Sequence, residues 1–273
     1  MAPLLPRSTP DFPLAAARLE EDLRAGGKSL VAMSGGVDSA VVALLAHRAL
    51  GASSVAVTLA GPAVSDREVE RAREVARHIG IEHVVLLSDP LDEPGYASNP
   101  TNRCYFCRRT ETGALTQWGA SHGVRRFLDG VHVDDLGEDR PGLRAMDEAG
   151  FAHPLVDAGW RKTEVRRFAK GEGLPNWDQP SDACLASRVR HGQPITRELL
   201  DRVRRAEESL LVRGFRRVRV RTDGRSARVE VGPTEVPRLL SEPLASTIRA
   251  EIVGQGFASV ELDPTGYRPR PGA

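Results

Sequence analysis

The chain has 273 residues, 40% of them hydrophobic, which is enough for one large or two modest domains around a real apolar core. Lys and Arg total 38 against 37 Asp and Glu; this excludes a global field that draws the protein to nucleic acid or an anionic membrane, and leaves only local patches for such a role. Met1 to Pro10 lacks an apolar core of signal-peptide length and no later run approaches a bilayer span, so a soluble, cytoplasmic protein without membrane contact is expected.

In chain order, Met1 to Pro13 is proline-rich and reads as a flexible tail. Leu14 to Ala25 has helical spacing through Leu14, Arg18, Leu19 and Leu23, and Gly26-Gly27 ends it. Apolar runs recur at Leu30–Met33, Val55–Ala60, His83–Leu87 and Arg126–Val131, separated by helix-patterned segments such as Ser65–Ile79 and Arg109–His122. That alternation predicts an α/β fold with a doubly wound parallel sheet and ligand at the carboxyl ends of its strands. Ser88 to Arg103 contains Pro90, Pro94, Gly95 and Pro100 and is expected to be a long loop leading into Cys104. Val133 to Pro154 is irregular, Lys162–Lys170 is helical in pattern, and Leu174 to Arg188 delivers Cys184.

From Thr196 the pattern changes. Leu199, Leu200, Val203, Ala206, Leu210 and Leu211 form one apolar stripe of a helix ending near Gly214. Val218 and Val220 alternate with arginines, as do Ala227, Val229 and Val231 with Arg228 and Glu230, and Thr222-Asp223-Gly224-Arg225 supplies the hairpin turn between them. Pro237 to Gln255 is helical with a break at Pro243, and Phe257–Leu262 closes as a strand. The expected organisation is a nucleotide domain over 14–190, a small α+β domain for substrate or oligomerisation over 191–264, and a tail over 265–273.

Ser34-Gly35-Gly36-Val37-Asp38-Ser39 lies between the first strand-like run and the helix-like Ala40 to Leu45. Two glycines let the backbone approach an anion, the serines add hydroxyl donors, and the following helix offers free N–H groups and the positive end of its dipole. A pyrophosphate fits such a cradle. A Walker loop would place lysine directly after its glycines, where this chain has Asp38. The loop resembles that of the PP-loop ATP pyrophosphatases, which implies cleavage of ATP between its α and β phosphates and an adenylated substrate.

The chain has three cysteines, Cys104, Cys107 and Cys184, an odd count that argues against a disulfide framework. Cys104-Tyr105-Phe106-Cys107 has the spacing of a metal or redox knuckle. A structural zinc needs four ligands, whereas three thiolates can hold a cubane iron–sulfur cluster by three irons and leave one open for sulfide.

Around these residues stand Asn99-Pro100-Thr101-Asn102-Arg103, the acidic run from Asp129-Gly130-Val131-His132 through Asp134-Asp135 and Glu138-Asp139 to Gly142, and Pro180-Ser181-Asp182-Ala183-Cys184-Leu185-Ala186-Ser187-Arg188. With Ala206-Glu207, Gly214-Phe215, Arg219-Val220-Arg221 and Ala227-Arg228-Val229-Glu230, they resemble the LarE sulfur transferases from about Leu14 to about Leu262. The resemblance implies an enzyme that adenylates the carboxylates of a pyridinium biscarboxylic mononucleotide and replaces them by thiocarboxylates, towards a nickel-pincer nucleotide cofactor. It further implies a homo-oligomer and one of two sulfur sources: sacrifice of a single cysteine at the position of Cys184, or a 4Fe-4S cluster on three cysteines recharged by sulfide or another sulfur donor. Cysteines at all three positions favour the cluster.

By the same resemblance Ser34 to Ser39 bind ATP, Asp38 and Cys184 are catalytic, and Ser187, Arg188, Glu207, Arg219 and Arg221 bind the mononucleotide. Arg219 and Arg221 share one strand face and suit its phosphate, although a solvated face is the plain alternative. Glu207 reads equally as an exposed helix residue. Asp38, Asp135 and Glu230 are candidates for magnesium, a hard cation that prefers oxygen. His132 stands where the family motif has asparagine. Arginines at 202–205 and 213–221 keep a tRNA thiolation enzyme in view, against the near-neutral charge. A regulator that binds ATP and a metal or cluster without turnover is the reading from outside enzymology.

Overall fold

The computed structural model describes residues 12–136, 140–180 and 183–267. The expected tail before residue 12, the motif residues Gly137, Glu138, Asp139, Ser181 and Asp182, and the tail beyond residue 267 lie outside the described residues. The chain divides into two compact units, each assembled from separate stretches. The first takes Met1–Leu59, Asp66–Leu87 and Glu111–Pro180; the second takes Ala60–Ser65, Ser88–Thr110 and Ser181–Ala273. A single boundary near residue 190 does not describe this division, because hydrophobic periodicity reports the local element and not the core it fills.

In the first unit β1 (Ser29–Ala32), β2 (Ser54–Ala60), β3 (Glu82–Leu87) and β4 (Arg126–Leu128) form a sheet in the order β3-β2-β1-β4. β1 runs parallel to both neighbours, with Ser29 opposite Ser54 on one side and Arg126 on the other. Its helices are α1 (Phe12–Arg24), α2 (Val37–Leu50), α3 (Asp66–Ile79), the part of α5 (Arg103–Ser121) from Glu111 onward, α6 (Pro141–Glu148), α7 (Pro154–Asp157) and α8 (Lys162–Gly171); the short α4 (Pro94–Ala97) and the opening turns of α5 belong to the second unit. Alternate strand residues feed two cores, as expected of strands covered on both faces. Val31 and Ala56 join α1, α2, α3 and α8 through Leu23, Leu45, Val75 and Val165, while Leu30, Val55 and Val57 join α5 and α6 through Leu115 and Met146. From Val37 to Ala46 every residue of α2 except Asp38 is buried, so the helix after the glycine loop is a fixed core element.

The stretch expected as loop from Ser88 to Arg103 is partly helical. Asp89 accepts a hydrogen bond from Leu91 N at 3.0 Å and Glu93 from Gly95 N at 3.3 Å, and the prolines that follow them sit in a first turn, where a missing N–H costs nothing. Moreover α5 starts at Arg103 rather than Arg109, so Cys104 and Cys107 stand three residues apart on its opening turns. The Cys-Tyr-Phe-Cys stretch offers no polar–apolar period from which that start could be read.

In the second unit β5 (Val218–Thr222) and β6 (Ser226–Val231) form the expected hairpin, with Val218 opposite Val231, and β7 (Ser259–Leu262) runs parallel to β6. Asp223 Oδ1 closes the turn by accepting from Arg225 N at 3.0 Å and Ser226 N at 2.7 Å. Helix α9 (Arg197–Val212) is capped by Thr196, whose hydroxyl accepts from Leu199 N at 3.2 Å; α10 (Val236–Leu239) and α11 (Leu244–Gly254) flank Pro243. Leu200, Val203, Leu210, Val220, Val229 and Ile248 make the core, and Ala63 and Tyr96 from the two short earlier stretches complete it. Thr265 to Tyr267, which the sequence places in the tail, are tied to β6, where Tyr267 N donates to Val231 O at 2.7 Å.

Candidate active site

The glycine loop sits at the carboxyl end of β1, where a parallel sheet binds ligands. Gly35 has φ +79°, and a Cβ there would come within 2.9 Å of Glu68 O, so only glycine fits. Its carbonyl accepts from Asn176 Nδ2 at 2.9 Å. Ser39 Oγ accepts from Ser34 N at 3.2 Å and donates to Gly36 O at 3.2 Å, while Gly36 N donates to Ser34 Oγ at 3.3 Å. The two serines therefore hold the loop by its backbone. Gly130 lies flush against the start of α2, since a Cβ on it would stand 2.6 Å from Ser39 N.

Asp38 faces a lysine that sequence reasoning missed. Lys162 Nζ, at the first position of α8, donates to Asp38 Oδ2 at 2.5 Å. Asp38 Oδ1 is buried and accepts no hydrogen bond among the described residues; His132 Nε2 stands 3.8 Å from it. Asp135, the second magnesium candidate, accepts from His132 N at 3.1 Å and from Arg140 at 2.5 Å. One acid thus keeps a vacant lone pair while the other is engaged. Below them Asp129 Oδ1 accepts from Val131 N at 3.0 Å and meets His153 Nδ1 at 2.8 Å, and His153 Nε2 meets Asp147 Oδ1 at 2.7 Å. The hydrogen bond to Asp129 leads the influences that push His153 up to about 9, so the ring is charged at neutral pH.

All three cysteines fall in the second unit. Cys104 is exposed, and Cys107 and Cys184 are half-buried against the same core as Phe106. Burial pushes the Cys184 thiol up, Cys104 raises it further, and Arg103 and Arg188 pull it down. Cys104, Cys184 and the two guanidiniums are therefore electrostatic neighbours. Among the described residues no group of three or more His, Cys, Asp or Glu side chains converges as for a single metal ion.

Of the residues expected to bind substrate, Arg188 and Glu207 form a buried two-pronged pair, Nε to Oε1 at 2.7 Å and Nη2 to Oε2 at 2.9 Å. Glu207 Oε1 also accepts from Val220 N at 2.9 Å. The exposed-helix reading of Glu207 gives way to this pair. The signal was its place four residues after Val203 on the apolar stripe of α9. Arg188 Nη1 donates to Cys184 O at 3.1 Å and Ser187 Oγ at 3.0 Å, fixing the turn that carries the cysteine.

Arg219 is buried against the Tyr267 ring and donates to Val218 O at 2.8 Å. Arg221 is half-buried and donates to Glu230 Oε1 at 2.7 Å, which leaves Glu230 Oε2 buried with no hydrogen-bond partner among the described residues. The solvated-face alternative does not hold for Arg219. Ser187, Arg188 and Arg221 line an open cavity of about 690 Å³, joined by Arg190, His191 and Arg228. Arg219 and Glu207 do not line it. Glu230 belongs to the second unit and Asp38 and Asp135 to the first, so the three magnesium candidates are not a cluster within either unit.

The Asparagine synthase family matches residues 16–94, the stretch that holds the glycine loop. An uncharacterized protein of Synechocystis sp. is 38% identical over 241 residues, 88% of this chain and 90% of that protein. The pyridinium-3,5-bisthiocarboxylic acid mononucleotide synthase of Lactiplantibacillus plantarum is 30% identical over 239 residues, 87% of this chain and 86% of that one. The tRNA-specific 2-thiouridylase MnmA of Xanthobacter autotrophicus is 32% identical over 213 residues, 63% of this chain and 54% of that protein. The parallel sheet and the loop between β1 and α2 define a PP-loop ATP pyrophosphatase. The L. plantarum enzyme matches across both units, far beyond the loop itself. The chain belongs to the LarE family of ATP-dependent sulfur transferases.

Proposed function

We propose that the chain uses ATP to activate a carboxylate of a pyridinium biscarboxylic mononucleotide and exchanges it for a thiocarboxylate, towards the nickel-pincer nucleotide, with sulfur carried on a 4Fe-4S cluster. The observation that supports this reading is that the chain's three cysteines all fall within one unit, while the other unit carries a glycine loop built for pyrophosphate. The donor set fits the cluster: a cubane takes its thiolates at separate corners, so they need not converge on one ion, and bound iron would offset the mutual repulsion of the thiolates. Cys104, Cys107 and Cys184 are the ligands in this reading. When bound, such a cluster supplies an iron without a protein thiolate, at which sulfide can be held.

The first half of the reaction belongs to the loop. Ser34 to Ser39 hold the β and γ phosphates on backbone N–H groups and hydroxyls, and Lys162 passes from Asp38 to the incoming phosphate charge. Asp38, released and with one lone pair already vacant, is then free to hold magnesium, with Asp135 as a further oxygen ligand. The substrate carboxylate oxygen attacks the α-phosphorus and pyrophosphate leaves. A sulfur nucleophile next attacks the activated carbonyl, and AMP leaves with the former carboxylate oxygen. Arg188, Ser187 and Arg221 bind the mononucleotide from the walls of their cavity; Arg219 supports its strand, and Glu207 holds Arg188 in place.

The test is incubation of anaerobically reconstituted protein with ATP, magnesium, sulfide and the pyridinium mononucleotide. Thiocarboxylate and AMP are expected in equal amounts over many turnovers. A single turnover with loss of hydrogen sulfide mass from Cys184 would mean sacrifice of that cysteine, salt-dependent tRNA binding with thiolated base would mean the tRNA reaction, and ATP binding without AMP would mean a regulator. The homo-oligomer expected of the family and its cytoplasmic setting are carried forward as part of the proposal.

A further inference from the structure

Two guanidiniums stand on the segments that carry the cysteines, Arg103 directly before Cys104 at the start of α5 and Arg188 on Cys184 O, and only the second is neutralised. Arg188 is paired with Glu207 at both prongs. Arg103 is 6% exposed, yet among the described residues no carboxylate meets it. Its Nη1 donates to Asn99 Oδ1 at 3.1 Å and faces His191 Nδ1 at 2.9 Å, and its Nε is buried without any hydrogen bond among the described residues. A cation so enclosed is costly unless an anion completes the site.

The surroundings hold that cation in place. Asn99 is fully buried, has a left-handed backbone at φ 55°, and donates through Nδ2 to Arg190 O and Gln193 O, both at 2.9 Å. Its own carbonyl accepts from Gly192 N at 2.9 Å. Asn99 thus ties the segment bearing His191 to the residues that open α5, directly before Cys104. Because guanidinium only donates, the His191 nitrogen that faces it is an acceptor, and Asn99 presents its carbonyl oxygen. No carboxylate is among the partners that Arg103 meets in the described residues.

We propose that Arg103 is the buried counter-charge of the cysteine-held cluster, positioned by Asn99 and His191 so that one uncompensated guanidinium is held at the head of α5, next to Cys104. This inference rests on the cluster reading above. Three thiolates carry one more negative charge than a doubly positive cubane core cancels, and one buried guanidinium balances that excess. Arg103 acts on the cluster through charge and touches no reacting atom, so it is a positioning residue.

The experiment compares reconstituted wild type with Arg103→Gln and Arg103→Lys, reading iron and acid-labile sulfide per chain, the midpoint potential and circular dichroism. Expected is a full cluster in wild type, a shift of the potential to more negative values in Arg103→Gln, and recovery of most of that shift in Arg103→Lys. A cluster lost in Gln but kept at near wild-type potential in Lys supports the same charge requirement. Equal potentials in wild type and Gln, a Lys shift as large as the Gln shift, or loss of the cluster in both variants with native circular dichroism would overturn the assignment. Asn99→Ala guards against a folding defect at Arg103: it keeps the charge and loosens its place, so a broadened or lowered potential is expected and an unchanged one counts against the positioning. Wild type that takes up neither iron nor sulfide overturns the cluster reading itself and this inference with it.

Discussion

Lys162 shows what a residue gains from its fold. In the sequence it is one cation opening a helix pattern, distant from the glycine loop; in the structure its amine closes on Asp38. Lys162→Ala should slow AMP formation about 100-fold with little effect on thermal stability, the cost of removing one preorganised charge from a phosphoryl site; stopped assays of labelled ATP and a melting curve check both. Glu207 is the opposite case, a residue whose weight is structural. Glu207→Ala strands Arg188 in the core and leaves Val220 N without its acceptor, so about 3–5 kcal/mol of stability should be lost in urea titrations. The loop residues Ser34 to Ser39 were legible because the glycines and serines that make the cradle are contiguous. Lys162, Asn176, Asn99 and His191 were not, because their partners stand far away along the chain and no local period encodes such a pairing.

Among elements, β1, the glycine loop and α2 act as one piece. Gly35→Ala must either relax the left-handed turn or move α3, whose Glu68 carbonyl blocks the new carbon. The expected result is a loss of roughly 1–2 kcal/mol together with loss of ATP binding by calorimetry. The bridge from Asp129 at the end of β4 through His153 to Asp147 of α6 gives the same region a pH dependence. His153 is raised from 6.5 to about 9 in the folded protein, so its contribution is complete below 6.5 and fades as pH rises through about 9. Denaturation midpoints measured from pH 6 to pH 10 should fall on the alkaline side in wild type and fall less in His153→Gln. Helices and strands with a clean period, such as α3, α9 and the β5–β6 hairpin, were readable within a residue or two. The start of α5 was not, and it is the element that bears two of the cysteines.

At the scale of the molecule, the doubly wound sheet was legible because apolar runs alternate with amphipathic helices, while the composition of the second unit was hidden in two short inserts. Ala63 and Tyr96 are buried in a core whose other members lie beyond residue 180. A fragment of residues 191–273, expressed alone, should therefore remain unfolded by circular dichroism, with an unfilled site where the Tyr96 ring belongs. None of the described helices is long and apolar enough to cross a membrane. The interleaving also sets an order of birth. The last residue of the first unit is made while most of the second has yet to leave the ribosome, and Cys104 and Cys107 emerge well ahead of Cys184. The sheet can close early; the sulfur-bearing half must wait until the residues beyond 180 have emerged, and for that interval Tyr96 and the thiols of Cys104 and Cys107 are exposed to whatever holds nascent chains.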